Sequence, residues 1–232
     1  MTPKSLDHVA LWVADRDRIA DFACAHLGMH VIERTERFTL VGPDARRGKL
    51  TLFAADGPRE RGALDHVALR ITHLERAAAR LPDGLSVERP RPGELMFEVS
   101  EGLRLGLVEC ETDVEFDLDR VALLTADPER AAAVWLSLGF RSAAPLDGTV
   151  RVEVGGSFLE LSPGDSGNPE RPLLNHVGVL VDSADDFRAR AEELGVEIAD
   201  VVDAPNTSAV FVWGPERVKL EYVEHKPSFS LR

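Results

Sequence analysis

The sequence predicts an α+β protein built from four βαβββ modules, and three observations carry that prediction. A short apolar string recurs four times, a helical stretch follows each copy, and an alternating strand closes each unit. The strings are Leu-Asp-His-Val-Ala-Leu at 6–11 and again at 64–69, Leu-Asp-Arg-Val-Ala-Leu at 118–123, and Leu-Asn-His-Val-Gly-Val at 174–179. Their starts lie 58, 54 and 56 residues apart. Repetition at a fixed period of this size marks a tandem of one supersecondary unit.

Each string is rich in Val and Leu and reads as a strand. After the first comes Asp17 to Leu27, where Ile19, Phe22, Ala23 and Leu27 fall at helical spacing and Gly28 supplies the stop. His73 to Leu81 before Pro82-Asp83-Gly84, Pro128 to Leu138 before Gly139, and Ala184 to Leu194 before Gly195 repeat the pattern. Pro128 suits a first helical turn, where its missing N–H leaves no bond unmade. The closing strands are Leu50 to Phe53, Leu103 to Glu109, Phe158 to Ser162 and Val218 to Glu224. Shorter strand-like stretches lie between helix and closing strand, with Gly155-Gly156 as a hairpin turn.

Breaks rich in Gly, Pro or charge separate modules at 4–56, 62–110, 117–164 and 172–225. Grouping neighbours gives an N-terminal domain, 1–113, and a C-terminal domain, 114–232. A pairing of module 1 with 4 and 2 with 3 fits the same repeat, so both arrangements stand at this point.

Composition narrows the function. With 44% hydrophobic and 29% charged residues, the chain has the balance of a soluble globular protein. A net charge of −13 disfavours nucleic acid and anionic membrane as partners. No apolar run reaches the length of a membrane span. Only Met1 to Ser5 precede the first strand, so no signal peptide is expected and the cytoplasm is the expected location. Cys24 and Cys110 are too few for a disulfide framework and read as small buried hydrophobes. The expected partner is a small molecule, with self-association as a homodimer left open. Dinucleotide, Walker and nucleophile-elbow motifs are absent.

Side chains alternate along a strand. In the first string Val9, Leu11 and Val13 make the row under the helix, leaving His8, Ala10 and Trp12 on the other face. The closing strands carry Thr51, Gly106, Glu160 and Glu221 on that same free face. By module the pairs offered are His8 and Thr51, His66 and Gly106, Arg120 and Glu160, His176 and Glu221. His66 has no local carboxylate partner and reads as a vestige of duplication. His26, His30, His73 and His225 fall outside this register and read as surface residues.

From Leu6 to about Glu224 this pattern resembles the vicinal oxygen chelate superfamily of glyoxalase I, methylmalonyl-CoA epimerase, extradiol dioxygenases, and fosfomycin- and bleomycin-resistance proteins. The resemblance implies that modules pair into two cup-shaped mixed sheets with helices outside. It also implies that first-strand His and last-strand Glu hold one divalent metal: Fe, Mn, Ni, Co or Zn. Module 4 matches best, with His176 in its first strand and Glu221 in Pro-Glu-Arg-Val-Lys-Leu-Glu-Tyr (215–222), which is similar to the closing strand of extradiol dioxygenases. The Gly usual two residues after that Pro is Arg217 here. The acid–base His usual upstream has no counterpart between Asp203 and Phe211, and Phe211 stands for the usual Tyr.

The third ligand depends on pairing. If modules 1 and 4 meet, His8 joins His176 and Glu221 in a two-His-one-carboxylate set, with Thr51 in the fourth place. If modules 3 and 4 meet, Glu160 is the alternative third position and Arg120 faces it. A guanidinium stays protonated and cannot ligate, so Arg120 would bridge carboxylates instead. Arg120 and Trp12 are the expected substrate-pocket residues. The function implied is a divalent-metal enzyme (dioxygenase, lyase or isomerase) acting on a small oxygen-rich molecule chelated through neighbouring oxygens. The alternative is a metal-free binding protein of the bleomycin-resistance type.

Overall fold

In the computed structural model, which describes residues 2–230, each module appears in the expected order. Module 1 comprises β1 (Ser5–Val13), α1 (Arg16–His26), β2 (His30–Arg34), β3 (Phe38–Gly42) and β4 (Lys49–Ala54). Module 2 follows with β5 (Leu64–Ile71), α2 (Leu74–Ala78), β6 (Val87–Glu88), β7 (Glu94–Ser100) and β8 (Leu103–Glu109). Module 3 holds β9 (Asp117–Thr125), α3 (Pro128–Ser137), β10 (Arg141–Ser142), β11 (Val150–Val154) and β12 (Ser157–Pro163). Module 4 holds β13 (Leu174–Leu180), α4 (Ala184–Leu194), β14 (Ile198–Asp203), β15 (Thr207–Trp213) and β16 (Lys219–His225).

Three helices begin on a side-chain cap: Asp15, Asp127 and Ser183 accept from the backbone N–H three residues on. The fourth, α2, is shorter than its apolar spacing suggests. His73 makes no capping bond there, and Pro82 disfavours helical backbone at Leu81.

The strands form two eight-stranded sheets, ordered β14-β15-β16-β13-β1-β4-β3-β2 and β10-β11-β12-β9-β5-β8-β7-β6. Module 1 therefore pairs with module 4, and module 2 with module 3. The sheets cross the division at 113/114, since each half of the chain gives one module to each sheet. Edge satisfaction explains how this works. Within a module the first strand runs parallel to the closing strand, and its other edge is free to pair antiparallel with another first strand, as in β1·β13 and β5·β9.

The helices lie on the face opposite the cups, where Val9, Leu11, Val67, Leu69, Val121, Leu123, Val177 and Val179 join one continuous core. Phe22 of α1 reaches Phe97 of the second sheet with ring centroids 5.8 Å apart. The β11–β12 hairpin presses on the start of β1: a Cβ on Gly155 would fall 2.0 Å from the Lys4 carbonyl oxygen, so only glycine fits. No helix among the described residues is long and apolar enough to cross a membrane.

Candidate metal centre

The free faces of the sheets carry the residues that alternation assigns to them. In all four modules the closing-strand position lies beside the residue two places after the first-strand His or Arg: Ala10 beside Thr51, Ala68 beside Gly106, Ala122 beside Glu160, Gly178 beside Glu221. Pairing of β1 with β13 then brings His8, Thr51, His176 and Glu221 into one cup.

Three donor atoms converge there. His8 Nε2 lies 2.9 Å from His176 Nε2, and each ring nitrogen lies 2.9 Å from Glu221 Oε2. The far side of each ring settles what these atoms are. His8 Nδ1 donates to Asp7 Oδ1 at 2.7 Å, and His176 Nδ1 donates to Asn175 Oδ1 at 3.1 Å. With the proton on Nδ1, both Nε2 atoms present lone pairs inward. Glu221 Oε2 is buried and accepts no aligned hydrogen bond. Three lone pairs at this spacing repel unless a cation stands between them.

A divalent ion fits that space. Donors about 2.1 Å from one ion stand roughly 3 Å apart at right angles and about 3.4 Å apart in a tetrahedron, so 2.9 Å matches an octahedral face. Two imidazoles and a carboxylate are the donor set that suits first-row metals with positions left open.

The charges around the triangle agree. Burial disfavours ionising Glu221, but the His8 and His176 rings outweigh it and hold the carboxyl far below its usual range. Burial also opposes charging His8, yet Glu221 and the Asp7 hydrogen bond raise its pKa to about 9. For His176 burial wins over Glu221, and its pKa is lowered. A proton on His8 is thus the cation that closes the triangle when no ion does.

Above the donors opens a cavity of about 480 Å³. Phe38, Leu40, Phe53, Phe211, Val223 and Phe229 give it apolar walls, and Thr35, Arg37, Asn206 and Thr207 stand among its polar lining. Phe211 sits edge-on to His176 at 5.1 Å.

Comparison with known proteins agrees with this geometry. Residues 5–92 match the sequence model of the Glyoxalase/Bleomycin resistance protein/Dioxygenase superfamily. That match covers module 1 and the first part of module 2, and likens this stretch to the vicinal oxygen chelate superfamily. No curated protein sequence matches it. Among solved structures, a candidate dioxygenase from Bacillus subtilis superposes with a TM-score of 0.85 at 17% identity, over 98% of this chain and 87% of that one. Glyoxalase I from Zea mays gives 0.76 at 16% identity, over 95% and 92%. The cppA protein from Streptococcus pneumoniae gives 0.64 at 13% identity, over 97% and 100%. At these identities the likeness is one of fold.

Other expected site residues fall elsewhere. Arg120 and Glu160 belong to the second cup, so neither reaches the cavity above His8 and His176. Trp12 also misses it. It stands four residues past His8, about 13 Å along the strand, and packs on Phe53 at 5.2 Å with Arg59 over its ring at 5.6 Å. Arg217 adopts left-handed backbone, a conformation that favours glycine, with φ of 56° and its guanidinium 4.0 Å from the Trp213 ring centroid.

Several site residues escape strand alternation. Asp7 should face the helices, yet it lines the cavity beside His8, because pairing with β13 shifts register between Leu6 and His8 and the bulge turns both inward. The fully buried Asp7 carboxylate meets Lys49 Nζ at 2.8 Å and His225 Nε2 at 3.1 Å. Burial opposes its ionisation, but Lys49, His225 and His8 hold its pKa far below the usual range. His225 is therefore a half-buried wall of the site, stacked on Phe229 at 4.1 Å, and not the surface residue its position suggested. Cys24 and Cys110 are half-buried, not fully enclosed. Gly178 is the clearest missed signal. It replaces the Ala of the other three strings, and a Cβ there would lie 2.4 Å from His8 Cε1.

Proposed function

We propose that His8, His176 and Glu221 hold one divalent metal ion, and that the protein is an enzyme of this superfamily acting on a small molecule chelated through two neighbouring oxygens. The observation that carries this reading is the triangle of lone pairs at 2.9 Å, with both imidazole tautomers set by Asp7 and Asn175. Of the branches considered, a dioxygenase is favoured over a lyase or isomerase. Thr51, not a carboxylate, takes the fourth position, which leaves a two-His-one-carboxylate face of the kind used by non-haem Fe(II) oxygenases.

Bound there, the ion would supply Lewis acidity and open positions for substrate oxygens. The chain's own residues supply the rest. Phe38, Phe53 and Phe211 give flat apolar walls that exclude water and orient an unsaturated or aromatic body. The Thr51 hydroxyl faces the same space and can hydrogen-bond a substrate oxygen. Asp7 keeps the His8 ring turned toward the ion.

A second reading, a metal-free binding protein, is favoured by one observation: His8 Nε2 lies 2.9 Å from both His176 Nε2 and Glu221 Oε2, close enough for a ring proton to stand in for an ion. Elemental analysis separates the two. Protein purified without chelator or affinity tag, then offered Fe(II), Mn(II), Ni(II), Co(II) and Zn(II) in turn, should retain one ion per chain. Dioxygen uptake with a panel of vicinal diols then tests the dioxygenase branch. Retention of none of the five ions would sink the metal reading and leave the binding protein.

A further inference from the structure

We infer that the second cup is a metal cup whose ion has been replaced by a built-in cation, the Arg120 guanidinium. The two sheets are internal copies, so register gives each residue of one cup its counterpart in the other. His66 matches His8, Arg120 matches His176, Glu160 matches Glu221, and Gly106 matches Thr51.

The counterparts keep their roles. His66 Nδ1 donates to Asp65 at 2.8 Å, as His8 does to Asp7, so its Nε2 presents a lone pair to the cup. Glu160 Oε2 is buried without an aligned hydrogen bond, like its counterpart Glu221 Oε2. Between these two donors stands Arg120 Nε, 3.3 Å from His66 Nε2 and 3.6 Å from Glu160 Oε2. The rest of the guanidinium reaches Asp119 and Glu94, each at 2.9 Å. Arg120 is 3% exposed and sits among these carboxylates out of water, while Arg91 reaches the other oxygens of Glu94 and Glu160 from the rim at 3.4 and 3.5 Å.

A cation in this place performs the structural half of a metal's work. It neutralises carboxylates from modules 2 and 3 and ties β9 to β7 and β12 across the sheet. It cannot perform the chemical half, since a guanidinium has no lone pair and no open position. Met96 packs over the place that Thr51 holds in the first cup: a Cβ on Gly106 would lie 2.7 Å from Met96 Sδ. The second cup is thus a fixed-charge structural centre.

The test is Arg120→His, which restores a third donor where the guanidinium stood. Co(II) binding is counted by elemental analysis beside wild type, with R120Q and the double variant R120H/E160Q as controls. The expected result is one more ion per chain in R120H than in wild type, none more in either control, and a thermal midpoint that Co(II) raises in R120H beyond its effect on wild type. If R120H folds only when Co(II) is present, the surrogate role is supported equally. A variant that binds no additional ion, that is unfolded with or without Co(II), or that gains an ion independent of Glu160 overturns the inference. The readout is a difference from wild type. Failure of the first metal centre, which would leave wild type empty, is therefore distinguishable.

Discussion

One methyl group should displace the His8 ring. At Gly178 an added Cβ would stand 2.4 Å from Cε1, 2.5 Å from Nδ1 and 2.9 Å from Nε2, flat against the imidazole. Ordinary carbon contacts begin near ~3.5 Å, so the ring must retreat by about 1 Å. The backbone at Gly178 is not in the left-handed region, so Gly178→Ala adds a clash and no conformational strain. His8 has little freedom to yield, held by Asp7 on one side and packed against His176 on the other. Donor sites tolerate misplacement of roughly 0.5 Å, and disturbance of a ligand's support costs about 10–100-fold in affinity. Overpacking of this kind costs about 1–3 kcal/mol, or a fall of roughly 2–12 °C in Tm for a chain this long. Isothermal titration with Mn(II) and a thermal melt of G178A beside wild type measure both quantities. Wild-type affinity together with an unchanged melt would show that β13 does not confine the His8 ring, and the account of the glycine would fall.

Three further outcomes are expected. His8→Ala, His176→Ala and Glu221→Gln should each lose bound metal while keeping wild-type circular dichroism; full metal content in all three would remove the centre. Asp7→Asn should weaken metal binding about 10–100-fold, because the His8 ring loses its charged orienting partner; an unchanged titration curve would count against that role. Cleaving the chain between Cys110 and Asp117 should not yield two well-behaved monomers, since each half would expose the edges of β1 and β5 or of β9 and β13. Recovery of two soluble, folded, separable halves by size-exclusion chromatography would contradict the pairing.

The repeat made most of the architecture legible. Four copies of one string set the strand order, the helix positions and the free-face rows, and the pairs His8 and Thr51 or His176 and Glu221 follow from alternation alone. Alternation fails where the backbone departs from it. The bulge at Asp7 puts two successive residues on one face, and the same irregularity recurs between Leu64 and His66. His225 was beyond reach for a different reason: its importance comes from Asp7, a residue 218 positions away in the chain.

By itself the sequence determined the module, its fourfold repetition, and which side chains each module offers to its cup. Only the tertiary structure decided which modules meet, and so that His8 rather than Glu160 completes the donor set with His176 and Glu221. The physical reason is that the four first strands have nearly the same apolar pattern. Any two could pair edge to edge and bury the same rows, so hydrophobic patterning cannot rank the pairings. Fit across the strand pair can. In the pairing observed, His8 lies against Gly178, and the missing side chain there leaves room for its ring.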